Sequence, residues 1–214
     1  MTKSIDHFMY GGSNLEDLCN QFAGLSGIQA TPGGSHPTLG THNRLLGNRS
    51  GTQTYLEFIA PDRSMDVQSE MRASLEALSR PQLHRFIMRC TSMDFAPLAA
   101  AYREAGIDAP VHDLQRITPE GRTLRWRLMI PAANPYGLFA PFFIDWLDSP
   151  HPSQSLDARL SVLDCEAGHP QAPRLVRLWK NLGVDIALRA ADSPYMRVLL
   201  DTPRGIVALT SDNR

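Results

Sequence analysis

The stretch Leu15-Glu16-Asp17-Leu18-Cys19-Asn20-Gln21-Phe22 sets Leu15, Leu18, Cys19 and Phe22 on one stripe of a helix, at i, i+3, i+4 and i+7. The spacing returns at Phe95, Leu98, Ala99 and Tyr102, and again at Leu175, Leu178, Trp179 and Leu182, each start 80 residues after the last. Recurrence at that period predicts one supersecondary unit used three times. A short apolar run precedes each stripe, Ile5–Tyr10, Phe86–Cys90 and Leu160–Leu163, and glycine follows it, at Gly24, Gly106 and Gly183, to close the helix. Three strand-like runs come next in each copy. The last two are separated by turn residues at Asn48-Arg49-Ser50-Gly51, Asn134-Pro135-Tyr136-Gly137 and Pro203-Arg204-Gly205.

The unit is therefore β-α-β-β-β and the fold class α+β. Modules at 1–61 and 82–147, joined by a linker at 62–81, form a domain over 1–147, their sheets curling round a common cavity; a third module at 156–214 is appended. Ser13 with Glu16 reads as a capping box that starts the first helix. Val67, Met71, Leu75 and Leu78 recur at helical spacing in the first linker, ahead of Pro81. The second connection, 148–157, holds Pro150, His151 and Pro152 and reads as exposed.

A hydrophobic content of 43% is enough for a packed core, while a net charge of −1 without basic runs argues against nucleic acid and anionic membranes as partners. Leu138–Leu147, the longest apolar stretch, is too short to span a bilayer and is broken by Pro141 and Asp145, and Met1–Tyr10 has no signal core. Cys19, Cys90 and Cys165 are odd in number and lack CxxC spacing, which predicts reduced core thiols and a cytoplasmic setting. His112, His151 and His169 sit beside turn residues and read as surface groups.

Two strands carry acids among apolar neighbours on both faces. Glu57 alternates with Tyr55 and Ile59 opposite Leu56 and Phe58; Asp145 lies between Phe143 and Leu147 opposite Phe142, Ile144 and Trp146. A carboxylate in such a place costs several kcal/mol unless it is paired, hydrogen-bonded or metal-bound. Glu57 and Asp145 hold corresponding places in the first two units, and His7 lies on the opening strand. If the three converge they form a ligand set for a divalent ion such as Zn, Mn, Fe, Ni or Co. The other reading leaves them hydrogen-bonded to one another or paired with Arg85, Arg125 or Arg127.

These residues resemble a known family. Asp6-His7 in the first strand, Tyr55-Leu56-Glu57-Phe58-Ile59 in the last strand of the first unit, and Gly33-Gly34-Ser35-His36-Pro37 with Gly40-Thr41-His42-Asn43-Arg44-Leu45 between them look like a glyoxalase-like domain of the vicinal oxygen chelate superfamily. Pro119-Glu120-Gly121, Leu124-Arg125-Trp126 and Pro141-Phe142-Phe143-Ile144-Asp145-Trp146 fit the same pattern. The resemblance implies a cup between paired units holding a divalent ion on four ligands, with His7, Glu57 and Asp145 at three of the places. The fourth is filled by Arg85, which cannot ligate a cation. His36, His42 and Asn43, from a glycine-rich loop, and Trp126 are the expected substrate contacts, with Arg85.

Two functions follow. One is a metal-dependent lyase or isomerase of a small oxygenated substrate, with Glu57 or His7 shuttling a proton. The other is a metal-free small-molecule binding or resistance-type protein. The last strand of the third unit, Gly205–Thr210, has no titratable residue, so that unit is structural, and its unpaired edges and concave face predict a homodimer.

Overall fold

All three stripes are buried but for the half-buried Ala99, and the helices that carry them lie where their spacing puts them. The computed structural model describes residues 2–49 and 52–211. Its elements run β1 (Ile5–Gly11), α1 (Leu15–Ser26), β2 (Thr31–His36), β3 (Thr41–Asn48), β4 (Tyr55–Pro61), α2 (Glu70–Glu76), β5 (Gln82–Arg89), α3 (Phe95–Glu104), β6 (Val111–Ile117), β7 (Thr123–Met129), β8 (Phe142–Asp145), β9 (Ala158–His169), α4 (Ala172–Leu182), β10 (Ala187–Ala190), β11 (Tyr195–Thr202) and β12 (Gly205–Thr210). The class is α+β. The predicted turn at 48–51 falls partly outside the described residues, at 50 and 51.

The ends of two helices differ from expectation. Asn14, not Ser13, caps α1: its extended backbone lets the side chain accept from the amides of Glu16 and Asp17 at 2.9 and 3.2 Å. The helix then runs through Gly24 and stops at Gly27, whose φ of 76° is the left-handed geometry of a C-terminal cap. In the first linker the helix is shorter than its apolar pattern, starting only where the Ser69 hydroxyl caps it.

Eight strands close into a ring in the order β4-β1-β5-β8-β7-β6-β2-β3, with β3 pairing β4. Each half repeats one plan, since β1 runs parallel to β4 and β5 parallel to β8, and the halves meet antiparallel along β1 and β5. The opposite seam, β2 to β6, is held at the Ser35 and Ile117 pair. Gly34, at φ 145°, lets the two backbones approach there: a Cβ on it would lie 2.1 Å from the Ile117 carbonyl oxygen.

The last segment repeats the order of elements but not the pairing. β9 runs beside the end of β3, then takes β10 on one side and β11 on the other, with β12 outermost. Its inner face is covered within the chain. Leu160, Leu175, Trp179, Met196 and Val198 share one apolar core with Phe8, Phe22, Phe58 and Phe86, and the Trp179 indole donates to the Phe139 carbonyl at 2.7 Å. The expectation of an open concave face on this segment is thus corrected. Ile206 and Leu163, on its outer face, are exposed.

A second apolar cluster, Met9, Ile59, Ile87, Leu114, Trp126 and Phe142 among it, lines the inside of the ring, and Leu75 of α2 packs into it. The sheet therefore has apolar residues on both sides, as the strand sequences required. Cys19, Cys90 and Cys165 are free, and burial pushes their thiols up to about 11, 12 and 12. Among the described residues no helix is long and apolar enough to cross a membrane.

Candidate functional site

Inside the ring lies a cavity with about 530 Å³ of atom-free space including its mouth, walled by Trp126, Trp146, Phe142 and aliphatic side chains and bordered on one side by His7, His36, Asn43, Glu57 and Arg116. The strand alternation of β4 turns Glu57 inward with Tyr55 and Ile59, and that of β3 turns Asn43 inward, while β1 contributes His7 and β6 contributes Arg116.

These polar groups form one buried chain of contacts. Arg116 Nη1 donates to Asn43 Oδ1 at 3.2 Å, and Asn43 Nδ2 donates to Glu57 Oε1 at 2.5 Å. Glu57 Oε2 lies 3.4 Å from His7 Nε2, whose other ring nitrogen meets Asp6 Oδ1 at 2.8 Å. Asp6 is fully buried and also receives Arg89 Nε at 3.0 Å, His151 Nε2 at 3.0 Å and the Trp146 indole at 3.2 and 3.3 Å. Strand alternation puts Asp6 opposite His7. A register shift between Ile5 and His7 breaks that alternation and lets both side chains reach one end of the ring. Tyr55 stacks on the His7 ring at 4.6 Å.

Burial alone would push the His7 imidazole down, but hydrogen bonds and charge from Asp6 and Glu57 outweigh it and raise it to about 9. The same pairing, with the Asn43 amide, overcomes burial at Glu57 and holds it at about 2, and His151 and His7 hold Asp6 well below the usual carboxylate range. At neutral pH the centre is an imidazolium between two carboxylates. His36, tethered through Nδ1 to Thr41 Oγ1 at 3.0 Å, is pushed by burial down to about 4 and stays neutral.

Of the expected site residues, His7, Glu57, His36, Asn43 and Trp126 meet at this cavity. Three do not. Asp145 faces away, accepting from Ser92 Oγ at 2.5 Å and the Leu147 amide at 3.0 Å, because β8 gives its inner face to Phe142 and Ile144. His42 alternates to the outside of β3, beside Arg44 and Met65. Arg85 donates to the His84 carbonyl at 2.7 Å and packs 5.7 Å from the Phe142 ring centre without lining the cavity. Arg125 and Arg127 do not reach the buried acids either; Arg127 lies 3.5 Å from Asp113. His151 and His169, expected at the surface, are buried, His151 because it seals the end of the ring against Asp6, and His169 because its ring packs on Phe139. His112 is exposed as expected.

Those displacements leave the expected divalent ion without its full ligand set. Asp145 is absent from the cavity, the second half of the ring presents Phe142 and Ile144 where an acid was expected, and His7 engages both its nitrogens with carboxylates. Among the described residues no three His, Cys, Asp or Glu side chains are grouped to hold a metal. The donor set does not fit the ion that the resemblance implies.

Gly33 is required by this arrangement. A Cβ there would lie 2.1 Å from Asn43 Oδ1 and 2.8 Å from Arg116 Nη1. Gly33→Ala is expected to break the Arg116–Asn43 contact and cost about 1–3 kcal/mol, read as a lower urea midpoint; an unchanged midpoint would show that the pair yields freely.

A family model described as a glyoxalase-like domain matches residues 5–183, so the match continues past β8 through β9 and α4. No curated protein matches the chain. Among solved structures, a hypothetical protein from Staphylococcus aureus aligns with a TM-score of 0.60 at 14% identity, over 96% of this chain and 84% of that one. A methylmalonyl-CoA epimerase in complex with methylmalonyl-CoA and NH4+ aligns at 0.47 and 16%, over 71% and 100%. The epimerase from Mycobacterium tuberculosis aligns at 0.43 and 14%, over 65% and 84%. The first of these likenesses supports the fold, and the family match fixes the kinship: this chain belongs to the glyoxalase-like domain family.

Proposed function

We propose that this chain binds a small molecule in the ring cavity without a metal ion, which is the second of the two functions expected from the sequence. The observation that carries this reading is the donor set: Asp145 is turned out of the ring, Phe142 and Ile144 take the inner face of β8, and Asp6 and Glu57 engage both nitrogens of His7. That pairing also holds Glu57 low and His7 high, away from the range in which a general acid or base works best at neutral pH. The pair is a fixed feature of the binding wall, with Trp126 and Phe142 supplying apolar contact. A metal-assisted lyase or isomerase lacks its third ligand once Asp145 is turned away.

We read the three strand-helix-strand-strand-strand segments as copies of one unit, the last with altered pairing; the recurring stripes support this. The exposed Ile206 and Leu163 suit a contact between two copies of the chain, and three free thiols, two of them buried and one half-buried, suit the cytoplasm.

The test is elemental analysis of protein purified without an affinity tag, beside Glu57→Gln. Neither is expected to carry a stoichiometric divalent ion. One ion per chain, lost in Glu57→Gln, would overturn the metal-free reading. Trp126 and Trp146 line the cavity, so ligand binding is expected to change intrinsic fluorescence.

A further inference from the structure

The charges around the cavity can be matched in pairs, and one is left over. Glu57 faces His7, and Asp6 faces Arg89. Arg116 is 5% exposed and lines the cavity, yet among the described residues no carboxylate lies within 4.0 Å of its guanidinium. Its Nη1 donates to the Asn43 amide oxygen, a neutral group. Its Nε is the one buried side-chain nitrogen or oxygen without a hydrogen-bond partner among the described residues. A buried cation that meets only neutral partners is costly, and a guanidinium edge is shaped for a two-oxygen anion.

The adjoining wall says what that anion is attached to, since Leu114 lies on the strand of Arg116 and pairs with Trp126 on β7. Trp126 and Trp146 stand 5.2 Å apart between ring centres, and Leu114, Leu128 and Phe142 complete an apolar surface. Such walls accept a flat, uncharged body. Glu57 does not repel the anion outright, because His7 neutralises it and the Asn43 amide stands between Glu57 and Arg116.

We infer that the cavity takes a monocarboxylate with a flat apolar body, its carboxylate seated on Arg116 and its body against Trp126 and Trp146. This rests on the cavity being a small-molecule site, and it adds the charge and shape of the occupant.

Fluorescence titration of the full chain with benzoate and phenylacetate, against benzamide and phenylacetamide, tests it. The acids are expected to bind at least about tenfold more tightly than the amides of the same shape. In Arg116→Met that preference is expected to vanish while the Tm holds or rises, since the substitution removes an unmatched buried charge; a Tm that falls together with an intact preference would make Arg116 structural and overturn the assignment. Equal binding of acids and amides by the unaltered chain would overturn the carboxylate inference and leave the binding function standing. If none of the four changes the fluorescence or the Tm, the inference of a flat monocarboxylate fails. The comparison on the unaltered chain decides the point even if Arg116→Met does not fold.

Discussion

Asp6→Asn is expected to lower the free energy of unfolding by about 3–5 kcal/mol, the scale of breaking a buried ion pair from one side. Asp6 is fully buried and serves four donors, from His7, Arg89, His151 and Trp146. Asparagine keeps the shape but removes the charge that holds His7 and Arg89, and it turns an NH2 toward groups that are themselves donors. The measurement is urea unfolding of the variant beside the unaltered chain. A loss below about 1 kcal/mol, the worth of an ordinary neutral hydrogen bond, would mean that the aspartate is no hub.

Stability is expected to peak near pH 6.5 and to fall on both sides. His7 is raised to about 9, so its contribution is complete below the unfolded value near 6.5 and is lost as pH rises through the folded value. That limb amounts to about 3 kcal/mol between pH 6.5 and 9, at about 1.4 kcal/mol per unit. On the acid side the sign reverses. Burial holds His36 at about 4 and His84 at about 3, so below about 6.5 the unfolded chain takes up protons that the folded chain refuses. Glu57 and Asp6, both held low, add a further loss as the pH drops below about 4. Thermal melts from pH 4 to 9 show the dome. In His7→Gln the alkaline limb should flatten, and a limb of unchanged slope would assign it to another group.

Period and alternation carried much of this structure in the sequence. Three apolar stripes marked three helices, and the alternation of Glu57 with Tyr55 and Ile59 placed a buried acid that meets His7 at 3.4 Å. Alternation also sorted Asp145 from Phe142 and Ile144, but with both faces of β8 apolar it could not say which face was inside the ring. The residues that escaped have particular reasons. Asp6 reaches His7 through a local register shift, which leaves no mark in composition. Arg116 alternates with Leu114 as Glu57 does with its neighbours, but His112, Asp113 and Gln115 make β6 look like a solvated strand. His151 lies between two prolines in a segment that reads as exposed, and its contact is with a residue 145 positions earlier. Gly24 looked like a helix end because the true stop, Gly27, lies only three residues on.

The common interior of the final segment and the ring has a consequence for how the molecule can be divided. Trp179, Met196 and Val198 complete the same hydrophobic mass as Phe8 and Phe86. A gene fragment ending after β8 is expected to expose the part of β5 that Trp179 covers, so a fragment that keeps β9 to β12 is expected to be the better one for expression or for recombination. On this reading the tail insulates the strands that hold the charged centre.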